Sequence, residues 1–389
     1  DLEVQNPAPM SQQERRDNFN HPDGIREVML KSLEQGANES NDEFALRKLT
    51  VEHQLDELER LYAEAFQARI GWVLEPKESR GRFDLAVEPI PGTELASMVA
   101  SLGQELSRFA GIPRAEGTIL SARVNHPLDP MRQQNFRETF RLLADNAKRK
   151  IDADAERTAE HKNAAKQTVD DIYDLLDANL KAGLAEGFAE VQPREDGRHT
   201  GVSALRTVDG TAAVNIIQGL PAGRPGRQVQ LDVDKHGETR IHSVQVMAQD
   251  HPGFRDFFGD DKLYFGTSQE VVWLAAGVDA IAALKTAIDQ SAAPPANPPP
   301  VERAVALYAK LGPWVDLMHK RLGMADDPQR QKWRRLAIDA FEPGDDVINL
   351  RIDRAEANLR GDMLVQPGLL RYIGKLFADF SKENLEDGK

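Results

Sequence analysis

From Met131 to Ala182 the chain has neither glycine nor proline, the two residues that most often interrupt regular structure. A run of this kind reads as helix. Phe136, Phe140, Leu143 and Ala147 recur at three- and four-residue spacing as one apolar stripe, and Val169, Ile172, Tyr173, Leu176 and Leu180 form another. Residues 152–167 between them are dominated by charge and alanine. The pattern fits either one very long helix or a helical hairpin turning near the charged middle. A segment polar all round is rarely core, so the expectation is a hairpin or arm standing off the main body. Phe136, Phe140, Ile172 and Leu176 are its candidate interaction residues.

Elsewhere the period shortens to two. Ile70, Trp72 and Leu74, then Phe83, Leu85 and Val87 after a polar turn, read as a β-hairpin. Pro91-Gly92-Thr93-Glu94 opens a helix striped by Leu95, Met98, Val99, Leu102, Leu106 and Phe109, and a strand follows at 119–124. Beyond Gly197 come a strand at 201–207, a short helix at 209–220 and a hairpin of 228–234 with 239–247. Strands at 263–265 and 271–274 then lead into a helix at 278–288. Residues 291–300 hold five prolines and read as a stiff linker. Helices are expected at 301–322 and 329–341, a hairpin at 347–352 with 358–365, and a last helix at 367–380. Residues 1–23 read as an irregular lead-in, and 24–66 as helical.

The domain reading divides the chain into 1–66, an N-terminal lead-in with helices; 67–290, an α+β domain carrying the 131–182 arm; the 291–300 linker; and 301–389, a C-terminal α+β repeat packed on the main domain. The word repeat rests on two segments. Arg80-Gly81-Arg82-Phe83 leads through Pro91-Gly92 into a helix, and Arg360-Gly361-Asp362-Met363 leads through Pro367-Gly368 into another. Residues 263–274, feeding the helix from Val278, make a looser third copy. The fold class expected is α+β, with repeated hairpin-plus-helix units forming a curved antiparallel sheet packed by helices.

The 49 Lys+Arg against 63 Asp+Glu leave a net charge of −14, which disfavours nucleic acid and anionic membranes as partners. No stretch is apolar enough to span a bilayer. There is no cysteine, so disulfides, thiolate catalysis and Cys-ligated metals are excluded. A thiol-free chain opening at Asp1 is expected to be periplasmic or secreted, its signal peptide removed.

No phosphate-binding glycine loop, no Gly-x-Ser-x-Gly elbow around Ser203 or Ser268 and no His-Glu-x-x-His occurs. No catalytic residues and no cofactor are expected. The best metal candidates, Asp232, Asp234 and His236, alternate with Val229, Leu231 and Val233, as the solvent face of an amphipathic strand would. His242 reads as a hydrogen-bonded core histidine, and His126, before Pro127 and Asp129, as part of a helix entry. The pairs Asp170-Asp171, Asp260-Asp261, Asp326-Asp327 and Asp345-Asp346 suit helix starts and turns better than the spaced carboxylates of a glycosidase. Trp72, Trp273, Trp314 and Trp333 fall at core-like positions.

The Trp72 hairpin with Pro91-Gly92-Thr93-Glu94-Leu95-Ala96, Asp345-Asp346-Val347-Ile348-Asn349-Leu350 and Pro367-Gly368-Leu369-Leu370 resembles a group of exported planctomycete proteins of unknown function. The likeness spans about residues 55–290 and 345–380. It implies export and supplies no catalytic residues. Three functional expectations result. The first is a non-catalytic extracytoplasmic protein that holds an apolar small molecule or serves as an envelope scaffold. The second is an assembly protein that meets a protein partner through 131–182. The third is a hydrolase whose acids and histidines meet only in the fold.

Overall fold

The hairpin at 70–87 is one unit of a much wider sheet. A computed structural model of the chain describes residues 2–5, 10–36, 39–75, 80–223, 227–248, 251, 253–294, 303–315, 328–342 and 344–386. Its strands are β1 (Leu2–Gln5), β2 (Ala65–Glu75), β3 (Arg80–Pro89), β4 (Leu120–Asn125), β5 (Glu186–Pro193), β6 (His199–Arg206), β7 (Val229–His236), β8 (Thr239–Gln245), β9 (Lys262–Thr267), β10 (Val271–Ala276), β11 (Val305–Lys310), β12 (Val347–Ala355) and β13 (Asn358–Val365). They join in the order β1-β2-β3-β13-β12-β11-β4-β5-β6-β10-β9-β8-β7, antiparallel throughout and not closed. This is an α+β fold with a curved antiparallel sheet. Strands from 1–66, 67–290 and 301–389 all enter it.

The two segments that resemble each other lie side by side. β3 pairs with β13 so that Gly81 faces Val365, Phe83 faces Met363 and Leu85 faces Gly361, an arrangement symmetric about the Phe83–Met363 pair.

The helices are α1 (Gln12–Phe19), α2 (Ile25–Lys31), α3 (Asn41–Glu64), α4 (Glu94–Ser101), α5 (Pro130–Ala153), α6 (Ala159–Lys181), α7 (Ala213–Gly223), α8 (Phe254–Phe258), α9 (Ala280–Ala292), α10 (Pro328–Ile338) and α11 (Pro367–Glu386). Their starts are chemically marked. Ser40 and Glu43 form a capping box on α3, and Asp129 caps α5 ahead of Pro130 at its first position. The buried Glu64, at the end of α3, accepts from the Leu95 N–H at 2.7 Å and so caps α4 from outside, while pairing with Arg16.

Several sequence expectations are corrected. The 131–182 run is a hairpin of α5 and α6, turning at 154–158 through the caps Asp154 and Thr158, but it does not stand off the body. α3 packs on α5, and α7 lies so close to α6 that a Cβ on Gly219 would fall 2.3 Å from Thr168 Oγ1. Those contacts bury Asn146, Ala165, Thr168 and Leu180 on an otherwise polar hairpin. The helix from Pro91 stops at Ser101, because Leu102 is extended and Gly103 has a φ of +69°. Phe109 instead joins a different core, and Leu106 is exposed. Residues 305–310, expected as helix, are β11: flanked by β4 and β12, the strand is apolar on both faces and loses the alternation that marks a strand. The lead-in contains β1 and α1, and β5 at 186–193 was not expected at all. Within the 301–322 expectation residues 312–315 are helical, and α9 runs on through 291–292 of the expected linker; residues 295–302 and 316–322 lie outside the described residues.

Two faces of β5 belong to different layers. Phe188 joins Ala204, Trp273, Phe109 and Leu284 beneath α9, whereas Val191, an odd number of residues away, packs with Ile119 and Phe257 of α8. α9 is placed by Gly277, whose φ is +119° and where a Cβ would fall 2.8 Å from the His199 carbonyl oxygen, so no side chain fits. Ala280, Leu284 and Ala287 then face the sheet.

Candidate functional site

The residues singled out in the sequence do not converge. Asp232, Asp234 and His236 sit on β7, where a bulge between Gln230 and Asp234 breaks the alternation and leaves Leu231 and Val233 exposed as well. Each polar side chain has its own partner: Asp232 pairs with Arg240, Asp234 with Lys285 at 2.6 Å, and His236 with Asp289 at 2.7 Å. Those partners hold both carboxyls below the usual aspartate range. No group of three or more His, Asp or Glu suited to a metal occurs among the described residues.

His242 is fully buried. Its Nδ1 accepts from the Asp232 N–H at 3.1 Å, and its Nε2 meets Thr267 Oγ1 at 3.0 Å. Burial, reinforced by Arg240 and opposed by Asp232, pushes its pKa down. Among the tryptophans, Trp273 is core and Trp314 half-buried against Phe257, but Trp72 and Trp333 are exposed, against expectation. The acidic pairs are also dispersed. Asp170 meets Lys148, Asp345 meets Arg371, and Asp346 accepts from Gly312 N at 2.8 Å. Asp261 N donates to Asp260 at 2.7 Å, and Asp326-Asp327 lies outside the described residues.

His126 lines a polar cleft of about 320 Å³ with Glu186, Arg206 and the 182–185 loop. Its Nε2 is 3.1 Å from Arg132 Nη1 and its Nδ1 is 2.7 Å from the Pro127 carbonyl. Arginine only donates, so the network assigns the proton to Nδ1 and occupies the Nε2 lone pair. Burial first, then Arg132, holds the ring below its usual pKa. Arg132 forks onto Glu57, Glu57 meets Arg60, and Arg60 reaches Asp129 at 3.0 Å, tying α3 to α5. The groove above this network, about 610 Å³, is flanked by the exposed Leu58 and Phe136. Phe136 stacks on Phe140 along α5; Ile172, on α6, is exposed and Leu176 half-buried.

The third recess lies between α9 and the sheet and measures about 340 Å³. The segment after α4 crosses the sheet here, pressed so close to the end of α9 that a Cβ on Gly111 would meet the Gln290 carbonyl at 2.3 Å. Phe188, Val202 and Ile112 supply apolar walls, Ala283 and Ala287 the roof, and Glu190 of β5 the one ionisable side chain of the lining. Glu190 is 4% exposed. Its Oε1 accepts from Ala115 N at 2.9 Å, Thr118 Oγ1 at 2.9 Å and Gln192 Nε2 at 3.0 Å. Its Oε2 has no hydrogen-bond partner among the described residues. Arg123 Nη2 lies 3.9 Å from it, and that guanidinium donates to the carbonyls of Phe109 and Ile112.

Glu190 was not among the candidates read from the sequence. The signal was there: Glu186, Phe188 and Glu190 occupy alternate positions, so two carboxylates point the same way as an aromatic ring. No protein-family model, no curated protein and no solved structure matches this chain.

Proposed function

We propose that this is a non-catalytic, extracytoplasmic binding protein that holds a small, largely apolar molecule in the recess between α9 and the sheet. The observation that carries the reading is the recess itself: about 340 Å³ between α9 and the sheet, walled by Phe188, Val202 and Ile112 and roofed by Ala283 and Ala287. A recess of this size with apolar walls suits a low-mass ligand. The extracytoplasmic placement is supported by the lack of cysteine. A hydrolase has less support, because both ring nitrogens of His126 and of His242 already have partners. Calorimetric titration of the full chain with benzyl methyl ether tests the proposal. Binding that Ala283→Phe abolishes by filling the recess is expected; a wild-type chain that takes up no heat sinks it.

The exposed Phe136 and Leu58 beside the α3–α5 groove favour a second reading, assembly through the helical hairpin. Light scattering decides it. A defined oligomer that Phe136→Asp dissociates is its expected signature, and a monomer at all concentrations removes self-assembly.

A further inference from the structure

We propose that the face of the sheet turned away from α9 is a further binding site, a trough that takes the hydrocarbon chain of a fatty acid. The proposal goes beyond the α9 recess and stands without it. Strand pairing carries one row of side chains, in register, from Met363 of β13 through Leu350, Leu307, Ala122 and Ala189 to Leu274 of β10. Ser203 of β6 is the one polar member. Ala189 and Ser203 are the chain neighbours of Phe188 and Ala204, which pack under α9, so the row lies on the opposite face. Every member is half-buried, and none joins the cores built by the described residues.

The two faces differ in chemistry. Where the α9 face runs on beyond that helix, Arg351, Asp362 and Asp84 stand side by side and meet water with charge. The row offers water only hydrocarbon and one hydroxyl. Contiguous apolar surface left half-open in this way marks a ligand groove. Its flanks say what fits. On one side α4 and Leu61 of α3 pack over Leu85 and Leu359, and on the other Phe258 and Trp314 pack over Leu120 and Val191. A floor between such ridges is closed to a flat protein partner and open to a slender chain. Six spacings of about 4.8 Å make the row roughly 29 Å long and one side chain wide, the proportions of an extended alkyl chain. No ionisable side chain lies in the row to meet a carboxylate, so the head group stays at the rim. Val124 and Leu205, the next positions on this face beyond Ala122 and Ser203, are 36% and 37% exposed and mark the open side.

Decanoate, myristate and palmitate, each titrated calorimetrically into the full chain below its micellar concentration, test the proposal. A buried methylene is worth about fourfold in affinity, so binding is expected to tighten with every added pair of carbons through palmitate. Leu307→Lys puts a charge in the middle of the floor and is expected to weaken palmitate about tenfold or more, while Ala283→Phe leaves it unchanged. A gain that stops at decanoate would fit the compact α9 recess and overturn the trough. Palmitate binding lost in Ala283→Phe but kept in Leu307→Lys would do the same. No binding of any chain would also overturn it, and would leave the α9 reading to its own ether probe. A chain-free dimer that Leu307→Lys dissociates would give the face to a second copy and overturn the proposal. Should Leu307→Lys not fold, Ser203→Arg places the charge where the row is already polar, and unchanged palmitate affinity in that variant overturns the trough.

Discussion

Glu186 and Glu190 project from the same face of β5, four positions apart, and each is 4% exposed. Their surroundings are opposite. Glu186 uses both oxygens: Oε1 accepts from Ser107 Oγ at 2.9 Å and from Arg108 N, and Oε2 accepts from Arg206 at 3.0 Å. Glu190 concentrates its hydrogen-bond donors on one oxygen and leaves the other with only a 3.9 Å ion pair to Arg123. The first carboxylate ties the loop after α4 to the sheet. The second ties the same loop lower down through one oxygen, while the other lies 3.9 Å from the Arg123 guanidinium. Burial alone therefore does not distinguish the two acids; the distribution of donors over their oxygens does.

The same isosteric change should act differently at the two sites. In Glu186→Gln, whichever way the amide turns, its NH2 faces a donor, so the chain should lose about 1.5–3 kcal/mol of stability. In Glu190→Gln the amide oxygen can take the place of Oε1, and the NH2 replaces only the 3.9 Å contact to Arg123, so the loss should be smaller than in Glu186→Gln. Urea denaturation of both variants measures this. Equal losses would break the distinction between the two acids.

How far these sites could be read beforehand depends on their range in sequence. The α+β class, the hairpins β2–β3 and β12–β13 and the helix α9 follow from local period, because each buries one side against a neighbour close in the chain. β11 was hidden because Val305, Ala306, Leu307, Tyr308 and Ala309 put apolar side chains on both faces of the strand, so no alternation marks it. The packing of α5–α6 was hidden because a Thr168–Gly219 contact buries a stripe too small and polar to register as core. Glu190 was hidden for a third reason. Its meaning lies in donors from Ala115 and Thr118, some 70 residues away, and nothing in the strand itself announces them.

His242 extends the comparison to a titrating group whose acceptor is fully used. Its Nδ1 accepts from the N–H of Asp232, a residue held at a φ of +53° in the β7 bulge, and Thr267 meets its other nitrogen. Protonation would turn that acceptor into a donor facing a donor, with only the Asp232 carboxyl, 3.6 Å away and already paired to Arg240, to compensate. Burial lowers the folded pKa below 6.5, so the unfolded chain binds more protons between the two values. This group's stability contribution is whole above about pH 6.5 and falls as pH drops through the folded pKa, by at most about 1.4 kcal/mol per unit. Denaturation midpoints from pH 8 to 5 should decline in the wild type and decline less in His242→Gln. Parallel curves would mean that the ring titrates alike in the folded and unfolded chain.

The smallest effect is expected where carboxylates are paired but exposed. Asp234 meets Lys285 at 2.6 Å at the surface, and its neighbours Asp232 and His236 are engaged by Arg240 and Asp289. Water screens such pairs, and two long side chains must be ordered to make them, so each contributes little. Asp234→Asn should therefore shift the denaturation midpoint little, and less than Glu186→Gln does. The same pairing sets the response to metal. A divalent ion would have to displace Arg240, Lys285 and Asp289 from three separate contacts before it could collect Asp232, Asp234 and His236. Millimolar calcium or zinc should leave the melting temperature unchanged, and so should EDTA. A rise with either ion that Asp234→Asn removes would show that the β7 bulge can rearrange into a ligand set, and would move the candidate chemistry from the α9 recess to the opposite edge of the sheet.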